Sequence, residues 1–265
     1  MKRLSRIAAG IAIAGAVTTA GCRSGQDAAS TEAVGWRPLA DSSAEEGGSP
    51  IDLELSLART LERDGDPARA AAAYRQILHR YPEQPVANHR LAVVLDQSQR
   101  FDESRPLYEK AMALSPKNPE LLCDYAFSLY SQNELPRAEE LLRQAIDVSP
   151  GHLRSHNHLG LVLARTNRRD EAVGAFHAAG CTAAEAHENI ALVLSIDGHL
   201  AEARTEYLAA LAAAPNSVSA RSRLEELDGV AVAAQRMNAE TDPYPSAHAG
   251  RAVVRLTGAE SPAAP

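Results

Sequence analysis

The middle of this chain repeats itself every 34 residues, and a period of that length restricts the fold more than any other feature. Large–small pairs recur at Leu57-Ala58, Leu91-Ala92, Tyr125-Ala126, Leu159-Gly160 and Ile190-Ala191, at intervals of 34, 34, 34 and 31 residues. Four residues beyond each large member stand Leu61, Leu95, Leu129, Leu163 and Leu194. Twelve beyond each small member stand Ala70, Ser104, Ala138, Ala172 and Ala203. A bulky residue follows four later, at Tyr74, Tyr108, Leu142, Phe176 and Tyr207. Pro82, Pro116, Pro150 and Pro215 close four of the five units.

This spacing describes pairs of helices. Apolar residues at i, i+1 and i+4 give a first helix one buried face. Small residues let a second helix approach closely, and the bulky residue fills the space between the two. Asp64-Gly65-Asp66-Pro67 and Asp197-Gly198 supply turns in which glycine takes a left-handed conformation. Proline at a unit's end cannot continue a helix. Composition agrees, because only 4% of the 265 residues are aromatic and the apolar 45% is therefore mostly Ala, Leu and Val. A β-sandwich or barrel draws on aromatic and β-branched residues, so an all-α chain is expected.

The pattern resembles the tetratricopeptide repeat, with units 51–84, 85–118, 119–152, 153–183 and 184–217. The resemblance implies an α-solenoid of five helix-turn-helix units, antiparallel pairs stacked into a right-handed superhelix with a concave groove. The fourth unit is three residues short and has Ala178-Ala179-Gly180-Cys181-Thr182-Ala183 where the others close on proline. Its second helix should be shorter, and the superhelix should change angle there. Residues 218–237 place Leu224 in the large position and Glu225 in the small one, which suits a capping helix with a polar outer face. The Ala/Pro/Gly-rich residues 238–265 read as a disordered tail.

The first 21 residues read as a signal peptide: Lys2, Arg3 and Arg6 precede an apolar run from Ile7 to Val17, too short for a stable span. Thr19-Ala20-Gly21-Cys22 resembles the lipobox of bacterial lipoproteins, with Thr19 where the family usually has an aliphatic residue. The resemblance implies cleavage before Cys22, acylation of its thiol and amino group, and residence at the cell envelope facing the periplasm. Residues 23–50 are Gly/Ser/Ala/Asp/Glu-rich and read as a tether with a reach of roughly 30 Å. Trp36 stands alone in it, as a membrane-interface or docking contact or as an incidental residue. Net charge is −7, and −10 without residues 1–21, which carry three positive charges; neither value suits a nucleic-acid binder.

Catalytic chemistry is sparse. No glycine-rich phosphate loop, Gly-x-Ser-x-Gly or His-Glu-x-x-His is present, and neither enzyme activity nor a cofactor is expected. His152, His156 and His158 lie close in sequence, but His156 recurs in phase with Asn88 and Leu122, which marks a packing position rather than a metal ligand. Cys123 and Cys181 are expected on distant faces, so a disulfide between these two is not expected. Arg165, Arg168 and Arg169 form a basic spot at a turn.

In tetratricopeptide proteins, residues two before and two after the large residue line the groove. The resemblance maps these to Leu55 and Arg59, His89 and Val93, Cys123 and Phe127, Asn157 and Leu161, and Glu188 and Leu192. Val93, Phe127, Leu161 and Leu192 make an apolar ladder, with Glu62, Asp96, Tyr130 and Ser195 farther along the same face. Such a ladder either holds a partner's peptide or helix or is buried by the superhelix itself. Asn157 lacks Lys or Arg at matching positions in adjacent units, so the family's carboxylate clamp is absent. The resulting expectation is a lipid-anchored scaffold that binds an unidentified protein. Pilus or secretion assembly and self-association are the alternatives.

Overall fold

The computed structural model describes residues 49–241, with side chains described from 49 to 229. The expected signal peptide, Cys22, the tether up to Gly48 and the tail beyond Thr241 lie outside the described residues. Among those described, all regular structure is helical, and none of the helices is long and apolar enough to cross a membrane.

Ten helices form five pairs: α1 (Pro50–Arg63) with α2 (Pro67–Arg80), α3 (Pro85–Gln97) with α4 (Phe101–Leu114), α5 (Pro119–Ser131) with α6 (Leu135–Val148), α7 (Leu153–Arg165) with α8 (Arg169–Ala178), and α9 (Ala183–Ile196) with α10 (Leu200–Ala213). A last helix, α11 (Val218–Thr241), packs on α10. It continues four residues past 237, and α1 opens at Pro50, one residue inside the expected tether. Ala220 and Leu227 of α11 are buried, and Leu224 packs against the same core.

Local sequence explains where the helices start. Pro50, Pro67, Pro85 and Pro119 occupy the first helical turn, where their missing N–H costs nothing. The residue before each is a polar cap. Ser49, Asp66, Gln84 and Asn118 accept from the backbone N–H of Ile51, Arg69, Val86 and Glu120 at 3.3, 3.0, 2.9 and 3.1 Å. Thr182 and Glu185 form a reciprocal capping box at α9.

Each turn inside a pair has a left-handed residue. Gly65 and Gly198 take φ of +77° and +85°, and Gln99, Asn133 and Asn167 take +57°, +63° and +61° in the three middle units. Asparagine tolerates this region through local side-chain hydrogen bonding. Helix α8 is ten residues long, against 14 in the other second helices. Gly180, at φ +88°, turns the chain into α9 without a proline.

The core lies between the two helix layers. Ala58, Ala92, Ala126 and Ala191 are fully buried, as are the bulky Tyr74, Tyr108, Leu142, Phe176 and Tyr207 opposite them. At Gly160 a Cβ would sit 2.7 Å from the Phe176 ring, so the fourth pair is in contact only because that position is glycine. The first helices α1, α3, α5, α7 and α9 pack on one another in succession, whereas the second helices do not do so to a comparable extent. A stack whose first helices touch while its second helices splay is curved, with the first helices inside.

Candidate functional site

The inner face is cross-linked from unit to unit by side chains about one period apart. Arg90 of α3 donates through Nε to Glu62 of α1 at 3.1 Å and through its terminal nitrogen as well. Asp124 of α5 faces three nitrogen groups: His89 Nε2 at 2.8 Å, the Arg90 guanidinium at 3.9 Å, and that of Arg154 of α7. Arg154 also pairs with Glu120 at 3.0 Å. Farther along, both donors of the Arg165 fork reach Asp197, the residue just past the end of α9, at 3.1 and 2.8 Å. Burial pushes the Asp124 carboxyl up, but the His89 hydrogen bond and the charges of Arg154 and Arg90 outweigh it and hold the group below the usual carboxylate range.

A second set of bonds ties each first helix to its own second helix. Tyr74 donates to Glu62 and Tyr108 to Asp96, each at 3.0 Å and each twelve residues along the chain. Ser104 also donates to Asp96. Burial pushes both phenols well above their ordinary value, and the facing carboxylates add to it. Glu62 and Asp96 are therefore occupied inside the fold rather than presented to a ligand.

The sequence-derived groove positions divide accordingly. His89 is buried on Asp124. Glu188 accepts from Ser217 at 2.7 Å and Ser219 at 2.6 Å, which fastens the entry to α11. Arg59 is exposed on α1, and Val93 and Leu192 are half-buried. Leu161 is only 5% exposed and belongs to the core, so the open four-rung ladder is not what the fold presents. The reason is the close α5–α7–α9 packing, which covers that rung. Asn157 is half-buried, and its Oδ1 has no hydrogen-bond partner.

Phe127 and Tyr130 are brought together. Their ring centroids lie 6.0 Å apart, Phe127 stacks on His158 at 4.7 Å, and the Arg165 guanidinium sits 5.1 Å over Tyr130. Phe127, Tyr130 and His158 are each half-buried, so this row of ring faces is partly open. Asp124 and Arg154 escaped the sequence reading, and His158 entered it only as one of three neighbouring histidines, not as a groove residue. A signal was present for one of them, since Arg90 and Asp124 share a phase and carry opposite charges.

The remaining candidates resolve into internal contacts. Arg168 pairs with Glu139 and Glu171, and Arg169 with Glu202, so with Arg165 on Asp197 the basic spot is spent within the fold. His152 contacts Ser155 and Glu120, and His156 donates to the Pro150 carbonyl at 2.8 Å. His158 Nδ1 lies 3.3 Å from the Cys123 thiol. Burial raises that thiol and, with the Arg154 charge, lowers the His158 imidazole to about 4. Both groups are neutral near pH 7, which is the reverse of an activated thiolate–imidazolium pair.

The lowered His158 has a consequence for stability. An unfolded histidine titrates near ~6.5, so the stability tied to this group is present above that pH and is lost as pH falls toward 4. The unfolding free energy from urea titrations between pH 7 and 5 should fall by up to about 1.4 kcal/mol per pH unit from this residue. His158→Gln should flatten the slope.

Residues 55–119 and 126–183 match a family model described as tetratricopeptide repeat, and residues 97–150 match a second model of that description. Residues 55–183 thus match tetratricopeptide repeats. A TPR repeat-containing protein of Pseudomonas aeruginosa is 34% identical over 106 residues, which is 39% of this chain and 18% of that one. The protein adenylyltransferase Fic of Aedes aegypti is 31% identical over 96 residues, 36% of this chain and 19% of that enzyme. The chain thus spans about a fifth of the length of the curated relatives it matches, and the adenylyltransferase activity is a property of that enzyme.

Among solved structures, Pseudomonas aeruginosa pilF superposes with a TM-score of 0.51 at 20% identity, covering 74% of this chain and 93% of that one. YrrB, described as a TPR protein with an unusual peptide-binding site, superposes at 0.50 and 19% identity, covering 65% and 90%. These likenesses are of fold: an all-α tetratricopeptide solenoid.

Proposed function

We propose that this chain is a protein-binding scaffold that holds a partner's peptide or helix against its inner face, and that acylated Cys22 keeps it at a bacterial cell envelope. The observation that carries the binding reading is the half-open row Tyr130–Phe127–His158, on a face whose other groups are mostly paired among themselves. Flat ring faces give a ligand a large apolar contact at little entropic cost, and such residues dominate binding energies. The peptide-binding site named for YrrB supports the same reading on a similar fold.

The envelope reading rests on the basic end, the short apolar run and Thr19-Ala20-Gly21-Cys22. Acyl chains contribute about 0.8 kcal/mol per buried methylene, and two or more hold a protein firmly to a bilayer. A partner from a pilus- or secretion-assembly machine is a narrower version of this proposal. The superposition with pilF along most of both chains makes it compatible in fold.

Two experiments separate the parts. Cross-linking capture from membranes with Phe127→Ala or Tyr130→Ala should lose the partner about tenfold or more while helicity is kept. Unchanged capture from both variants removes the groove reading. Leu161 is unsuitable for this test, because a charge in the core would unfold the repeat. In cell fractionation, Cys22→Ala should leave the membrane fraction. Retention there would end the lipid-anchor reading and leave the groove reading untouched.

A further inference from the structure

Leu53 and Leu57 of α1 are 74% and 60% exposed, yet they stand in phase with residues that every later unit buries. Leu57 corresponds to Leu91, Tyr125, Leu159 and Ile190, none more than 9% exposed. Leu53 corresponds to Ala87, Leu121, Ser155 and Ala186, none more than 1% exposed. In each of those units the preceding second helix packs on the first helix. The first unit therefore presents an apolar docking face, two leucines one turn apart, with no described element on it. A terminal repeat that ended the stack would carry a polar outer face there.

The occupant is indicated by the chain itself. In every other unit this face is covered by the segment immediately upstream in sequence. Between residues 23 and 48 the bulky apolar residues are Val34, Trp36 and Leu39, all within six positions. Nine residues, 40–48, separate Leu39 from Ser49 and can extend about 30 Å. Helix α1, with 14 residues, is about 21 Å long, so the segment reaches the whole stripe. Arg37 is opposite in charge to the exposed Asp52 in the first turn of α1 and the exposed Asp64 just past its end. Attachment to the same chain gives the segment a millimolar effective concentration, ahead of a separate molecule.

We infer that residues 34–39 fold back over Leu53 and Leu57 with Trp36 as the anchor, and so form the N-terminal cap of the solenoid. Under the lipid-anchor reading, this docking shortens the free tether to residues 23–33 and its r.m.s. reach from roughly 30 Å to about 18 Å.

Trp36 is the single tryptophan of the chain, so intrinsic fluorescence reports on it alone. The measurement is iodide quenching of the full chain carrying Cys22→Ser, which removes any acyl group and makes the result independent of the anchor reading. Quenching should be several-fold weaker than for free N-acetyltryptophanamide. Leu53→Ser with Leu57→Ser should restore full quenching with far-UV circular dichroism unchanged, because both side chains are exposed. Free-like quenching in the parent overturns the inference, and so does protection that survives the double substitution. Protection that vanishes on dilution assigns the face to a second copy of the chain and overturns it equally.

Discussion

Phe176→Ala should lower the unfolding free energy by about 3–5 kcal/mol, read from urea midpoints at neutral pH. The ring is fully buried and fills the space that Gly160 leaves open. Gly160→Ala approaches the same site from the other side. Its new Cβ would lie 2.7 Å from the ring, so the ring or helix must shift, at a cost of about 1–3 kcal/mol. Combining Gly160→Ala with Phe176→Leu should cost less than the sum of the two, because the smaller side chain removes the overlap. Strict additivity would mean that the contact is not the cause. Repeat arrays depend on nearest-neighbour interfaces, so Phe176→Ala should also separate the melting of units one to three from the rest. The apolar core already divides into one cluster around Tyr74 and Ile77 and a larger one running to α11.

Asp124→Ala should cost about 2–3 kcal/mol, well beyond what an isolated surface pair contributes. Asp124 is the shared acceptor of His89, Arg90 and Arg154, and its removal leaves His89 Nε2 without its acceptor and the two arginines with only Glu62 and Glu120. The cost is held below that of a fully buried pair because the two arginine side chains are 29% and 44% exposed. The pH dependence carries the sign. The folded carboxyl lies below its unfolded value near ~3.9, so its contribution is complete above that pH and is lost as pH falls through the folded value. In urea midpoints the gap between parent and variant should start to close below about pH 4 and go on closing as pH falls through the folded value. A constant gap down to pH 2 would show that lost packing, and not charge, sets the cost.

The inner face was partly legible before the fold was known. Spacing placed Phe127 and Tyr130 on it, and the two rings do meet there. The same spacing put Leu161 and Asp96 on the face without distinction, but the first is core and the second is held by Tyr108 and Ser104. Phase in a repeat reports direction from the helix axis. It does not report how closely the next helix approaches, and that distance decides whether a side chain is covered.

Turn chemistry shows a similar limit. Gly65 and Gly198 advertise left-handed turns, whereas Gln99, Asn133 and Asn167 adopt the same conformation with less obvious signals. Register within the stack imposes it, and asparagine meets it at low cost.

What the sequence determined by itself was the helical repeat. Alanine and glycine at fixed phase permit close approach, and proline behind a polar cap suits the first turn of a helix; both are local rules. What only the tertiary structure decided was pairing across the period. Asp124 gathers His89, Arg90 and Arg154 from two helices, Arg165 finds Asp197, and Leu53 and Leu57 are left uncovered. Those contacts join residues about 30 apart, or lack a described partner, and the curvature of the stack sets which of them close.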